Sequence, residues 1–228
     1  MVVDTMILMK VSNKKKMLVG ILLFLILMLG YLVFTFFPVQ KGIEKTPVPL
    51  MTYTDFTYGF SIAYPKSIIP EKTFQKYYLL SDQWMAGVNE GSKGLSLLAL
   101  PVFRVTNENS YPRYWNVEVR IGITTDPDEL QTLLSESVVG EEPPKSILIN
   151  GCEFFRFPIK EAGMMQLMEG YSYRTIHGGI GYVIEQIKTG STYREEESSK
   201  DIPDTVLDDY FQQTENIIHS FRFIPTDS

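Results

Sequence analysis

The chain has 228 residues, 44% hydrophobic and 21% charged, with 16 Gly, 13 Pro, two His and one Cys. That composition excludes a disordered chain, a collagen-like repeat, a zinc ribbon and a disulfide-stapled mini-domain. The net charge of −6 is unevenly spread: Lys10, Lys14, Lys15 and Lys16 against Asp4 give residues 1–37 a net +3, which leaves −9 for residues 38–228. An acidic globular part of this kind lacks the clustered cations that a nucleic-acid binder needs.

From Met17 to Phe37 the chain runs for 21 residues without a charge. As a helix it is about 31 Å long, close to the thickness of a bilayer's hydrocarbon core. Lys14, Lys15 and Lys16 abut its amino end and Pro38 closes its carboxyl end. The positive-inside bias places residues 1–16 in the cytoplasm and 38–228 outside it. The run exceeds a signal-peptide core and ends on Phe34, Phe36 and Phe37 rather than small residues, which favours an uncleaved signal anchor. The expected localisation is therefore the cell membrane, crossed once, with the amino terminus cytoplasmic.

Residues 38–54, with Pro38, Pro47 and Pro49, read as a tether. Residues 55–228 are long enough for one domain. Phe56–Tyr64 alternates Phe56, Tyr58, Phe60, Ile62 and Tyr64 and reads as a half-buried strand ending at Pro65. Leu95–Val105 is a second strand, demoted in part to an edge or bulge by Pro101. Val117–Ile123 alternates again. Asp126-Pro127-Asp128-Glu129 is a helix start, a cap followed by Pro and first-turn acids, and predicts a short helix over Pro127–Ser137. Ile147–Phe155 is a hairpin around Asn150-Gly151, and Gly170–Ile176 pairs with Ile180–Lys188 around His177-Gly178-Gly179. After Pro203-Asp204, apolar residues from Val206 to Ile218 recur at helical spacing, and Ser220–Ile224 closes as a strand.

The opening Tyr58-Gly59-Phe60-Ser61-Ile62-Ala63-Tyr64-Pro65, the closing Ser220-Phe221-Arg222-Phe223 and the hairpin at Tyr171–Ile187 resemble the PsbP-like family, named for an extrinsic photosystem subunit. Segments Tyr114–Gly122 and Tyr173–His177 are similar to uncharacterised membrane-anchored bacterial proteins within that group. The resemblance covers residues 53–226 and rests on packing motifs. It implies an α+β fold, an antiparallel sheet sandwiched by helices, here preceded by one transmembrane helix. It also implies protein binding more than catalysis, and carries no photosynthetic role.

Each chemical candidate has an ordinary structural role beside it. His177 sits in a Gly-Gly turn with no acid or nucleophile beside it in the sequence, and turns tolerate polar residues. Cys152 follows a turn and reads as a small buried hydrophobe. Asp126 and Asp128 suit a helix cap as well as a metal. Glu195, Glu196, Glu197, Asp201, Asp204, Asp208 and Asp209 form an acidic stretch without the calcium-loop pattern, and so a solvated loop. Tyr111, Arg113, Tyr114 and Trp115 are the binding candidates, because Tyr, Trp and Arg recur at interface hot spots and stack on sugars; the alternative is that Tyr114 and Trp115 cover one end of the core. No nucleophile elbow, zinc-protease helix, phosphate loop, dinucleotide fingerprint or Cys-x-x-Cys is present.

These readings combine into a non-catalytic, membrane-anchored accessory module outside the cytoplasm. It needs no cofactor or metal and binds an envelope protein. Two alternatives remain open. A wall hydrolase would pair carboxylates among Glu118, Glu169 and Glu185 at about 5–9.5 Å across a cleft. A small-molecule carrier would need an enclosed apolar pocket.

Overall fold

A computed structural model describes residues 22, 24–28, 48–77, 79–88, 90–105, 115–135, 143–164, 166–191 and 202–225. Leu22 and Phe24–Met28 are helical and exposed; the rest of the 17–37 run, with residues 1–16, lies outside the described residues. No helix among the described residues is long and apolar enough to cross a membrane. Residues 1–47 and Val48–Ser228 separate as two units. The second unit holds every strand among the described residues.

Its elements run β1 (Leu50–Asp55), β2 (Phe60–Pro65), β3 (Leu95–Arg104), β4 (Trp115–Thr124), α1 (Pro127–Thr132), β5 (Lys145–Ile149), β6 (Cys152–Gly163), β7 (Gln166–His177), β8 (Ile180–Ser191), α2 (Asp204–His219) and β9 (Arg222–Phe223). Six strands form one sheet in the order β3-β4-β8-β7-β6-β5, and a small sheet runs β1-β2-β9. Every ladder is antiparallel. The architecture is α+β, mostly antiparallel sheet with few helices.

Alternation sorts the large sheet into two chemically different faces. On one, Val119, Ile121, Ile123, Tyr182 and Ile184 meet Phe60 and Ile62 of β2 and Ile217 and Ile218 of α2 in a single core. On the other, β4 presents Asn116, Glu118, Arg120, Gly122 and Thr124. All ten residues of β4 are buried, the charged ones included.

The covering of that second face departs from the expected helical layer. It is an irregular strap, formed by the described residues between 66 and 94, together with the six-residue α1. The reason is chemical. Arg120 donates to the Ser81 carbonyl at 2.8 Å and to that of Gln75, and carbonyls inside a helix are already engaged with their own N–H groups. Trp84 of the strap lies so close to the sheet that a Cβ on Gly122 would stand 1.9 Å from its carbonyl oxygen.

Three boundaries also differ from the sequence reading. Phe56–Gly59 is a turn rather than the start of a strand, because Asp55 Oδ1 accepts from the N–H groups of Thr57 and Tyr58, each at 3.0 Å. The chain reverses there, so residues 50–54, expected in the tether, are β1 paired with β2. The helix α1 ends at Thr132, where Ser135 N–H turns back to the Thr132 carbonyl at 3.0 Å; residues 136 and 137 lie outside the described set.

The Asn150-Gly151 turn forms as read, whereas His177 ends β7 opposite Ile180 and leaves only Gly178 and Gly179 in the second turn. Asn150 and Gly151 take φ of 47° and 82°, and Gly178 and Gly179 take 59° and 79°, the left-handed pair a type I′ turn requires. Register shifts flank Leu97 and Val102 in β3, the second beside Pro101. The Ser220 hydroxyl, at the end of α2, accepts from the Ala63 N–H at 2.8 Å and so ties the helix to β2.

Candidate functional site

The carboxylates a hydrolase would use are the first test. Glu118 and Glu185 are sealed under the strap, at 0% and 1% exposure. Glu118 is bound by Arg120 and by Arg104, whose guanidinium also holds Glu71 of the strap at 2.8 Å. Arg120 further lies 4.7 Å from the Phe74 ring. Glu185 Oε1 accepts the strap's Ala86 N–H at 2.7 Å, while Oε2 has no hydrogen-bond partner. Burial pushes its carboxyl up to about 7, against the downward pull of the Ala86 N–H, Arg120 and Arg174. Arg174 donates to Ser172 at 3.0 Å and to the Leu133 carbonyl at 3.2 Å, and stacks 4.1 Å from the Phe157 ring.

Glu169 belongs elsewhere. It pairs with Lys188, on the α2 side of the sheet. The three carboxylates therefore neither face one another across a cleft nor share an open sheet face. Glu118 and Glu185 are components of a buried charge network that fastens the strap, without access for a wall fragment.

The remaining candidates take ordinary structural places or lie beyond the described residues. Tyr111, Arg113 and Tyr114 lie outside the described residues, as do Glu195–Glu197 and Asp201. Trp115 is 5% exposed, packed with Val105, Ile202 and Leu207; it is core rather than an exposed stacking platform. His177 is exposed and stacks on Phe223 with centroids 4.0 Å apart. Cys152 is half-buried against the main core. Asp126 caps α1, accepting from Asp128 and Glu129 N–H at 3.1 and 3.4 Å, and binds Lys93 at 2.9 Å. That lysine's hydrogen bond is the main cause holding the Asp126 carboxyl below its ordinary value. Among the described residues, no three His, Cys, Asp or Glu side chains gather as a metal site would need.

Among the described residues, two clefts of some size are open at the surface. One, of about 490 Å³, lies by the β1–β2 turn and the start of α1, lined by Tyr58, Lys93, Leu95, Ile123 and Asp126 among others. The other, of about 330 Å³, lies between α2 and the β6–β7 hairpin. Lys188 stands at its floor, bound to Glu169 and 3.7 Å from Asp208, and 5.9 Å from the rings of both Trp115 and Phe211. Tyr171 and Lys160 line the side, and a separate small cleft that shares Pro158 and Tyr171 is lined by Lys145 and Arg156. Arg156 lies over the Tyr171 ring at 4.5 Å.

Neither cleft is the enclosed apolar pocket a carrier needs. The second has the half-buried aromatic and cationic lining of a protein-contact surface. Sequence reasoning missed it because Arg156, Tyr171, Lys188 and Phe211 come from four elements. Only the pairing of β6 with β7 and of β7 with β8, under α2, brings them together.

No family model matches the chain, and no curated protein matches it. Among solved structures, the chain is similar to the solution structure of cyanobacterial PsbP (CyanoP) from Synechocystis sp. PCC 6803, at 12% identity and a TM-score of 0.38, over 82% of this chain and 99% of that one. At that identity and score the likeness carries no function across.

Proposed function

We propose that the chain is a single-pass membrane protein whose domain, outside the cytoplasm, is a non-catalytic module binding another envelope protein. The anchor rests on the uncharged run 17–37 and its amino-side lysines. The observation that carries the binding reading is the cleft between α2 and the β6–β7 hairpin, where Tyr171, Phe211 and Lys188 converge and Arg156 lies over the Tyr171 ring. Aromatic and Arg side chains are the groups that dominate interface energetics, and half-buried rings come prearranged.

The hydrolase alternative is weakened by the same structure, since Glu118 and Glu185 are occupied in holding the strap. The test is proximity crosslinking of the full chain in its native cells, read by mass spectrometry. Recovery of one envelope protein, lost with the Tyr171→Ala/Phe211→Ala double variant and kept with His177→Ala, is the expected result. A capture pattern indifferent to the cleft variant refutes the reading.

A further inference from the structure

At the start of β1 the domain carries an unusual surface. Val48, Leu50, Met51 and Ile69 are 60, 65, 46 and 79% exposed. Val48, Leu50 and Met51 flank Pro49, and Ile69 follows Lys66 by three residues; the Lys66 N–H donates to the Pro49 carbonyl at 2.8 Å, which fastens the entering chain to the end of β2. Lys66, Lys72 and Lys76 are exposed in the same stretch, and none of them enters an ion pair among the described residues. The acid between them, Glu71, is taken by Arg104. The stretch from Val48 to Lys76 thus combines exposed apolar side chains with exposed lysines, on a part of the chain that is otherwise strongly acidic.

We propose that this end of the domain docks on the anionic headgroup layer of the membrane that holds the chain, an inference that rests on the anchor reading above. Exposed aliphatic side chains interleaved with unpaired lysines fit that layer: the apolar groups enter the headgroup–acyl boundary and the ammonium groups meet lipid phosphates. The length of chain outside the domain points the same way. Ten residues, 38–47, separate the apolar run from Val48, and fully extended they reach about 35 Å. A patch held that close meets the surface at an effective concentration on the order of millimolar, so contacts too weak to recruit a free protein suffice. The Phe56–Gly59 turn lies at the other end of β1, beyond Asp55, and docking through the patch leaves it away from the headgroup layer.

The test uses the full chain in vesicles of phosphatidylethanolamine with phosphatidylglycerol carrying brominated acyl chains. Cys152→Ser removes the native thiol, and a fluorophore is attached at Ser67→Cys, beside the patch, or at Thr57→Cys, in the far turn. Docking predicts loss of emission at 67, with emission at 57 retained. It predicts recovery at 67 in Leu50→Ser/Ile69→Ser, in Lys66→Glu/Lys72→Glu, and in vesicles of phosphatidylcholine alone. Equal emission at 67 and 57 overturns the proposal, as does quenching at 67 that the patch variants or the uncharged lipid leave unchanged. Alkaline carbonate extraction of the same vesicles reads the anchor separately. Release of the chain refutes the anchor, while the quenching measured beforehand still decides the patch.

Discussion

Replacing Glu185 by Gln gives a sharp test of the buried network. In the folded protein its carboxyl titrates at about 7 against an ordinary 4.5. At about 1.4 kcal/mol per unit, that difference amounts to about 3 kcal/mol. The sign depends on which state holds the proton more tightly. The folded state does, so this contribution is fully present below the unfolded value near 4.5, declines as pH rises, and is gone above about 7. Glu161, raised by burial alone, adds a slope of the same sign, and Asp126 one of opposite sign, exhausted at more acid pH. The difference between wild type and variant isolates Glu185. Glutamine keeps an oxygen for the Ala86 N–H and carries no charge at any pH. Urea unfolding of residues 48–228 is therefore expected to show the variant close to wild type at pH 5 and about 3 kcal/mol more stable at pH 8. In melting temperature that is roughly 10 °C for a domain of this size. A stability difference that does not change between pH 5 and pH 8 refutes the reasoning.

Other substitutions separate the devices that hold the fold. Gly122→Ala puts a methyl group into the Trp84 carbonyl; a loss of about 1–3 kcal/mol in urea unfolding is expected, with faster hydrogen exchange at the Ala86 amide. Asn150 supplies a left-handed residue and donates to the His219 and Phe221 carbonyls at 2.8 and 2.7 Å. Asn150→Gly, which keeps the turn, should cost about 1 kcal/mol, and Asn150→Ala about 1 kcal/mol more, both by urea unfolding. Trp115→Ala should cost about 3–5 kcal/mol because it empties core volume. Tyr171→Ala, in a half-exposed position, should leave the thermal midpoint within a few degrees while lowering partner capture.

Much of the α2 side was legible in the sequence, because it obeys local rules. Alternation marked β4, glycine-bearing turns marked two hairpins, and a helical repeat after Pro203 marked α2. The strap side was not legible. Glu118 and Arg120 occupy the polar phase of an alternating strand, and a period-two pattern cannot distinguish a solvated face from one closed over by a distant segment. The strap itself has little periodicity to detect, since Phe74, Leu80 and the run Trp84–Ala86 are buried at uneven spacing along an irregular path. The edge of the tether was misread for a related reason. Asp55 acts through a turn of four residues, and an aromatic alternation running across that turn imitates a continuous strand. Of the candidate site, only Trp115 among the four singled-out residues lies in the described structure, and it is buried.

A strap held over buried charge differs from one held by apolar packing in what a double substitution can restore. Arg120→Met alone leaves Glu118 buried with only Arg104 beside it, and removes the donors to the Gln75 and Ser81 carbonyls. A loss of about 3–5 kcal/mol is expected from the uncompensated charge. Were Arg120 only the partner of Glu118, Arg120→Met/Glu118→Leu would recover nearly all of it, as apolar replacements of buried ion pairs commonly do. Here the guanidinium also satisfies strap carbonyls that the double variant leaves without donors, at about 1–3 kcal/mol for each that water does not reach. The double variant should therefore remain well below wild type in urea unfolding, with amide exchange accelerated along residues 75–86 and unchanged in α2. Full recovery of stability with an unaltered exchange pattern would show that apolar contacts of Trp84, Leu80 and Phe74 hold the strap, and that the arginine's bonds to it are dispensable.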